Sequence, residues 1–153
     1  MRRLNELNID SSKLDGPNAH EIDDFENWFG VKLPLDYIGF LRFSNGGSPE
    51  VDTFVYRVGE DEGEGAVSTF FSLTSDKDDT YGIWYCTGLI ESVLGFKCVA
   101  IAENGGGDMI FLDMRDKPPS VKILYRSSGN STPEIADTFE DFIDSLHLNP
   151  DYD

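Results

Sequence analysis

Positive charge is scarce in this chain. Its 153 residues carry 12 Lys and Arg against 29 Asp and Glu, a formal net charge of −17. Nucleic-acid binding depends on cations that neutralise phosphates, so direct binding of DNA or RNA is not expected. An anionic membrane surface is disfavoured for the same reason. Cysteine is scarce too. Cys86 and Cys98 cannot form a disulfide framework, and their apolar neighbours mark them as small buried hydrophobes. No apolar run reaches the 18 or so residues that span a bilayer. Arg2 and Arg3 are followed by Asn5, Glu6, Asn8 and Asp10 instead of an apolar stretch, so no secretory signal is expected and a cytoplasmic location follows.

What is present argues for a folded domain. The chain is 39% hydrophobic and 12% aromatic, whereas acidic disordered chains are poor in aromatics. Its length suits one domain, which at this size buries about 68–70% of its unfolded surface. Residues 1–17 form a polar lead-in, 18–148 the domain, and 149–153 a short acidic tail.

Asn18 with Glu21 makes a variant of the capping box, and Ile22, Phe25 and Phe29 follow on one helical stripe. Gly30 ends that helix. Pro34 suits the first turn of a second helix, striped by Tyr37, Phe40 and Leu41 and stopped by Asn45-Gly46-Gly47. Alternation then predicts strands over 54–58 and 67–73. The run from Gly59 to Gly65 between them mixes glycines with acids and reads as a mobile hairpin loop. Asp76 to Asp79 opens a segment that reads as a helix through Tyr81, Trp84 and Tyr85, weakened by Gly82 and Gly88. Residues 98–102 and 109–112 are apolar on both faces, as central strands are, and Asn104 to Gly107 joins them as a hairpin. Another strand follows at Val121, Ile123 and Tyr125. Thr138 caps a closing helix striped by Phe139, Phe142, Ile143 and Leu146. Strands joined by short turns, with helices at the ends, predict an α+β domain with a mostly antiparallel sheet.

Catalytic signatures are few. His20 lies in a helix first turn and His147 near a helix end, where structural roles suffice. Zinc-binding Cys-x-x-Cys and His-Glu-x-x-His spacings are missing, as is a Gly-x-Ser-x-Gly elbow. Asn104-Gly105-Gly106-Gly107-Asp108 lacks the lysine and serine of a phosphate loop and leads into no helix. Glu103 and Asp108 are the one carboxylate pair to nominate for acid–base work, and two solvated acids beside a turn explain them as well. Glu60, Asp61, Glu62 and Glu64 do not follow the EF-hand pattern. They form either a solvated loop or a surface for a cationic partner. Between Glu50 and Asp79 nine acids face only Arg57 and Lys77, so the surplus is concentrated there.

Three stretches together resemble the SUKH superfamily, which includes bacterial immunity proteins and fungal cell-wall assembly regulators. The first carries Phe25-Glu26, Gly30, Leu33-Pro34, Asp36-Tyr37, Phe40-Leu41 and Asn45-Gly46-Gly47. The second is Val99 to Asp113, with Glu103-Asn104-Gly105-Gly106-Gly107-Asp108 as its hairpin. The third is Thr138 to Leu146. Pro118-Pro119-Ser120 departs from the glycine common before the following strand, and residues 48–96 have no firm counterpart.

The resemblance implies one α+β domain, a bent sheet with helices packed on one side, and a binding function with no catalytic residue, cofactor or metal. It implies a cytoplasmic antidote that neutralises a cognate polymorphic or contact-delivered toxin; a nuclease would offer the basic cleft that suits this charge. The alternative is a regulatory scaffold for an endogenous protein. Gly30, Pro34, Asn45, Gly46, Gly47, Gly105, Gly106, Gly107 and Asp108 carry over as structure. The residues nominated for partner binding are Glu60, Asp61, Glu62, Glu64, Asp76, Asp78, Asp79, Tyr81 and Trp84, with Tyr56 and Tyr85 as further aromatic anchors and core packing as their plainer role.

Overall fold

Asn18 accepts a hydrogen bond from the Glu21 amide at 2.8 Å, and the Glu21 carboxylate accepts one from the Asn18 amide at 3.1 Å. This reciprocal box starts helix α1 (Ala19–Phe29), and Gly30 closes it at φ +88°. A computed structural model describes residues 1–10 and 15–149 of the chain. The rest of the acidic tail beyond Asn149, and positions 11–14 of the lead-in, lie outside the described residues.

Helix α2 (Leu35–Phe43) starts after Pro34, which serves as its N-cap. The turn between the two helices is held by Glu26, which is buried and accepts a hydrogen bond from the Leu33 amide at 2.6 Å. Asn45, also buried, exchanges hydrogen bonds with the Leu73 backbone at 2.7 and 3.0 Å and donates to the Asp15 carbonyl. Gly46 and Gly47 follow with φ +96° each, a region that side-chain-bearing residues rarely occupy.

The strands are β1 (Ile9–Asp10), β2 (Ser48–Pro49), β3 (Thr53–Val58), β4 (Asp61–Ala66), β5 (Thr69–Phe70), β6 (Cys98–Glu103), β7 (Met109–Asp113), β8 (Ser120–Leu124) and β9 (Glu134–Ala136). Helices α3 (Ile83–Leu94) and α4 (Phe139–Ser145) complete the domain. β1 pairs with β2, so part of the lead-in is fastened to the domain. Fully buried Leu7 and the bonds from Arg2 to the carbonyls of Ile143 and Leu146 add to this anchorage. The other seven strands form one sheet in the order β4-β3-β9-β8-β7-β6-β5, antiparallel at every pairing. The two edges, β4 and β5, are separated in the chain by Val67 and Ser68 alone. Two residues span at most about 10 Å between flanking Cα atoms. The sheet therefore curls until its edges approach each other. The expected α+β class is the observed one.

β6, β7 and β8 are buried along nearly their whole length, as double-sided apolar runs predict. An aromatic chain knits the helices to the sheet. Phe70 of β5 meets Phe40 of α2 at 4.7 Å, Phe40 meets Phe139 of α4 at 5.4 Å, and Phe142 of α4 meets Phe54 of β3 at 6.1 Å. Cys86 and Cys98 are free and fully buried, and burial pushes both thiols up to about 12. Such thiols are poor nucleophiles at neutral pH.

Three expectations need correction. The run read as a mobile loop is a strand. β4 pairs with β3 over all six residues, from Thr53 opposite Ala66 to Val58 opposite Asp61. Only Gly59 and Glu60 make the turn, and Gly59 has φ +62°, which suits the first central position of a II′ turn. Gly63 and Gly65 are there for space, since neither has positive φ. They lie opposite Tyr56 and Phe54, and a Cβ on Gly65 would stand 2.6 Å from the Phe54 ring. Aromatic rings covering strand glycines in this way pin a register. Gly65→Ala should therefore cost about 1 kcal/mol, despite alanine's better backbone entropy, because fully buried Phe54 has to move. Urea unfolding of the variant checks this.

The second correction concerns 67–73, where only Thr69 and Phe70 form a strand; Phe70 through Leu73 are consecutively buried and do not alternate. The third concerns α3. It begins at Ile83 after Gly82 as N-cap, so Asp76 to Tyr81 lie in a turn before it. The strand β9 and fully buried Asp113 carried no sequence signal. Asp113 accepts bonds from Arg115 at 2.8 and 3.0 Å and from Lys122 at 2.7 Å.

Candidate partner-binding surface

Glu60, Asp61, Glu62 and Glu64 stand exposed on the β3–β4 hairpin at a sheet edge. Strand alternation places Glu62 and Glu64 on one face, opposite Arg57 and Val55, and the glycines on the other. β3 and β9 share a single rung, Arg57 opposite Glu134. A groove of ≈560 Å³ lies along β3, β9 and α4, lined among others by Arg57, Glu62, Glu134, Asp137, Asp141 and His147. Four carboxylates thus face one guanidinium and one imidazole. No ion pair within 4.0 Å engages any of the four hairpin acids among the described residues. Their charge is turned to solvent. His147 follows the closing helix and pairs through its backbone with Thr53, so it is held by the sheet beyond the helix end.

Asp76, Asp78 and Asp79 occupy the turn before α3, apart from the groove lining. Two of them shape that turn: Asp76 accepts from the Asp78 amide at 3.1 Å, and Asp79 from the Tyr81 amide at 3.0 Å. Tyr81 and Tyr85 are exposed, Tyr56 is half-buried, and Trp84 packs in the core with 7% exposure. Trp84 thus follows the core-packing role. The exposed ring beside it is Trp28 of α1, 50% exposed, which the sequence reading missed. Its position three residues after Phe25, at the edge of the stripe on the side away from Ile22 and Phe29, was the available signal.

The Asn104–Asp108 turn is self-satisfied. The Asn104 side chain accepts from the amides of Gly106 and Asp108 at 3.0 and 2.9 Å and donates to the Asp108 carboxylate at 3.1 Å. Gly107 has φ +85°, while Gly105 and Gly106 are exposed without positive φ. Asp108 is thereby tied into the turn beside Glu103. Among the described residues no group of His, Cys, Asp or Glu is arranged to hold a metal ion. No helix there is long and apolar enough to cross a membrane.

The arrangement of two capped helices, the curled sheet with its Asn104 hairpin, and the Thr138-capped closing helix follows the order of the resemblance. The sequence profile of the SMI1 / KNR4 family (SUKH-1) matches residues 16–145. The chain belongs to this SUKH family. No match was found among curated proteins. Membership explains the helix–helix residues as scaffold: Glu26 holds the interhelical turn, Asn45 ties α2 to Leu73, and the Asp36 carboxylate accepts from the Glu140 amide at 3.2 Å, joining α2 to α4. The SUKH match also spans β3, β4 and the turn before α3, where the acids gather.

Proposed function

We propose that this SUKH protein is an immunity protein, a non-catalytic antidote that binds a toxin domain with a basic surface and neutralises it in the cytoplasm. The observation that carries the reading is the exposed acid row Glu60, Asp61, Glu62 and Glu64 on an ordered edge hairpin, which makes no ion pair among the described residues. Enzymes that cut nucleic acid need cations around their clefts. An acidic partner competes for such a cleft and gains electrostatic steering toward it. Steering matters for an antidote, because the toxin reaches the cell already active.

Co-expression with the product of the adjacent gene, as the candidate toxin, tests this. The expected outcome is restored growth and a stable complex that survives gel filtration. Unrescued growth, together with capture of an endogenous protein by the immobilised chain, would instead support a regulatory scaffold, the role of the fungal relatives.

A further inference from the structure

Trp28 stands half-exposed on α1, and its ring lies 5.0 Å from that of buried Trp84 at the start of α3. Phe25 backs both, at 5.8 Å from Trp28 and 5.3 Å from Trp84. The exposed indole is therefore fixed from behind. The Lys77 ammonium sits 4.6 Å from the centroid of the Trp84 ring. Lys77 belongs to a turn with Asp76, Asp78 and Asp79, yet among the described residues it makes no ion pair with any of them. The ring thus already accepts a cation, and that cation is exposed and tethered by the chain itself. Asp24 lies one turn before Trp28 on the same side of α1. Asp24 itself faces His20 at 3.3 Å, so the local surplus comes from the turn, where Asp76, Asp78 and Asp79 against Lys77 leave a net charge of −2 next to the aromatic pair.

We infer that the Trp28–Trp84 pair is a receptor for an arginine side chain of a basic protein partner, with Lys77 as the occupant that the arginine displaces. A guanidinium is planar and weakly hydrated. It stacks on an indole face while its N–H groups reach carboxylates, a combination that an ammonium offers less well. Aromatic and arginine pairings of this kind are enriched among interface hot spots. The acidic surplus of the Lys77 turn favours a cationic partner over a second copy of this −17 chain. The inference deepens the antidote reading and rests on it for the nature of the partner. The groove beside β4 belongs to the long-range field, whereas this patch supplies a short-range anchor.

The test uses a hexapeptide of alternating arginine and glycine, its lysine counterpart, and NMR of the indole N–H groups in the intact chain. The arginine peptide should shift the Trp28 signal and bind several-fold more tightly than the lysine peptide. Trp28→Ala should weaken it about fivefold, the scale of one cation–π contact. Lys77→Gln should tighten it about threefold, more than Lys117→Gln, which makes the same charge change elsewhere. Should Trp28→Ala fail to fold, the two lysine variants decide alone. Equal affinity for Lys77→Gln and Lys117→Gln, with an unshifted Trp28 signal, overturns the inference. So does a Trp28 shift that depends on protein concentration without peptide, which marks self-association. None of these outcomes bears on growth rescue, so failure of the patch and failure of the antidote reading are separable.

Discussion

Asp113→Ala is expected to lower the unfolding free energy by about 3 kcal/mol, with a fall in Tm on the order of 10 °C. The carboxylate has no exposed surface, and burial alone would raise its pKa. Hydrogen bonds from Arg115 and Lys122, with the Arg115 amide at 3.1 Å, outweigh that and hold it at about 2. Removing it leaves Lys122, 19% exposed, with Asp116 at 3.8 Å as its remaining partner. Breaking one side of a buried pair costs more than the pair was worth, because the other charge stays buried. Arg115, half-exposed, turns to water, which keeps the effect at about 3 kcal/mol. Its pH dependence has a definite sign. The folded pKa lies below the ordinary value near 3.9. The contribution, about 2 kcal/mol, is therefore complete above about pH 4 and lost as pH falls through about 2. Many carboxylates titrate in this window, so the measurement compares chemical unfolding of the protein with Asp113→Asn at pH 6 and pH 2.5. The gap between them should shrink to roughly a third of its size at the lower pH. A constant gap would mean that the charge of Asp113 contributes nothing.

The parts of the fold visible in the sequence were those written in local contacts. The Asn18–Glu21 box, the Gly30 stop, the Thr138 cap and the apolar stripes of α1, α2 and α4 each involve residues within a single helix and its caps. The β6–β7 hairpin was visible because both strands are apolar on both faces around a short glycine turn. β4 was not, because Asp-Glu-Gly-Glu-Gly-Ala carries no strand propensity of its own. Its order comes from across the ladder, where Phe54 and Tyr56 lay their rings over Gly65 and Gly63. β9 is three residues long, and its partners lie ten or more residues back in β8 and far upstream in β3. Such a strand exists only through non-local pairing. The acids of the candidate surface could be counted from sequence. The groove could not, since Glu62, Glu134 and Asp141 come from three elements. Trp84 and Trp28 show the limit for aromatics: one ring is core, the other half-exposed, and composition does not tell which.

Changing Glu60, Glu62 and Glu64 to Gln and Asp61 to Asn together is expected to slow association with the proposed basic partner roughly tenfold at low salt, with dissociation changed much less. All four groups are exposed and none makes an ion pair among the described residues, so their loss removes field without removing a salt bridge there. The ordered strand sharpens this expectation. Glu62 lines the groove with Glu134, Asp137 and Asp141, and Glu64 shares its strand face, whereas Glu60 lies in the turn and Asp61 opens β4 next to it. Steering acts over about a Debye length, roughly 10 Å at 0.1 M salt, so it is indifferent to which face carries the charge. Half-variants should then each give up about half of the logarithmic loss, and both should flatten the dependence of the association rate on ionic strength. A contact role would look different: the loss would fall on Glu62→Gln/Glu64→Gln, appear in the dissociation rate, and persist at high salt. Edge-strand acids also serve to prevent sheet-to-sheet aggregation. If that were their whole role, the quadruple variant would associate with the proposed partner at an unchanged rate and show only a tendency to self-associate. Stopped-flow association at several salt concentrations, with sedimentation of the free variant, separates the three.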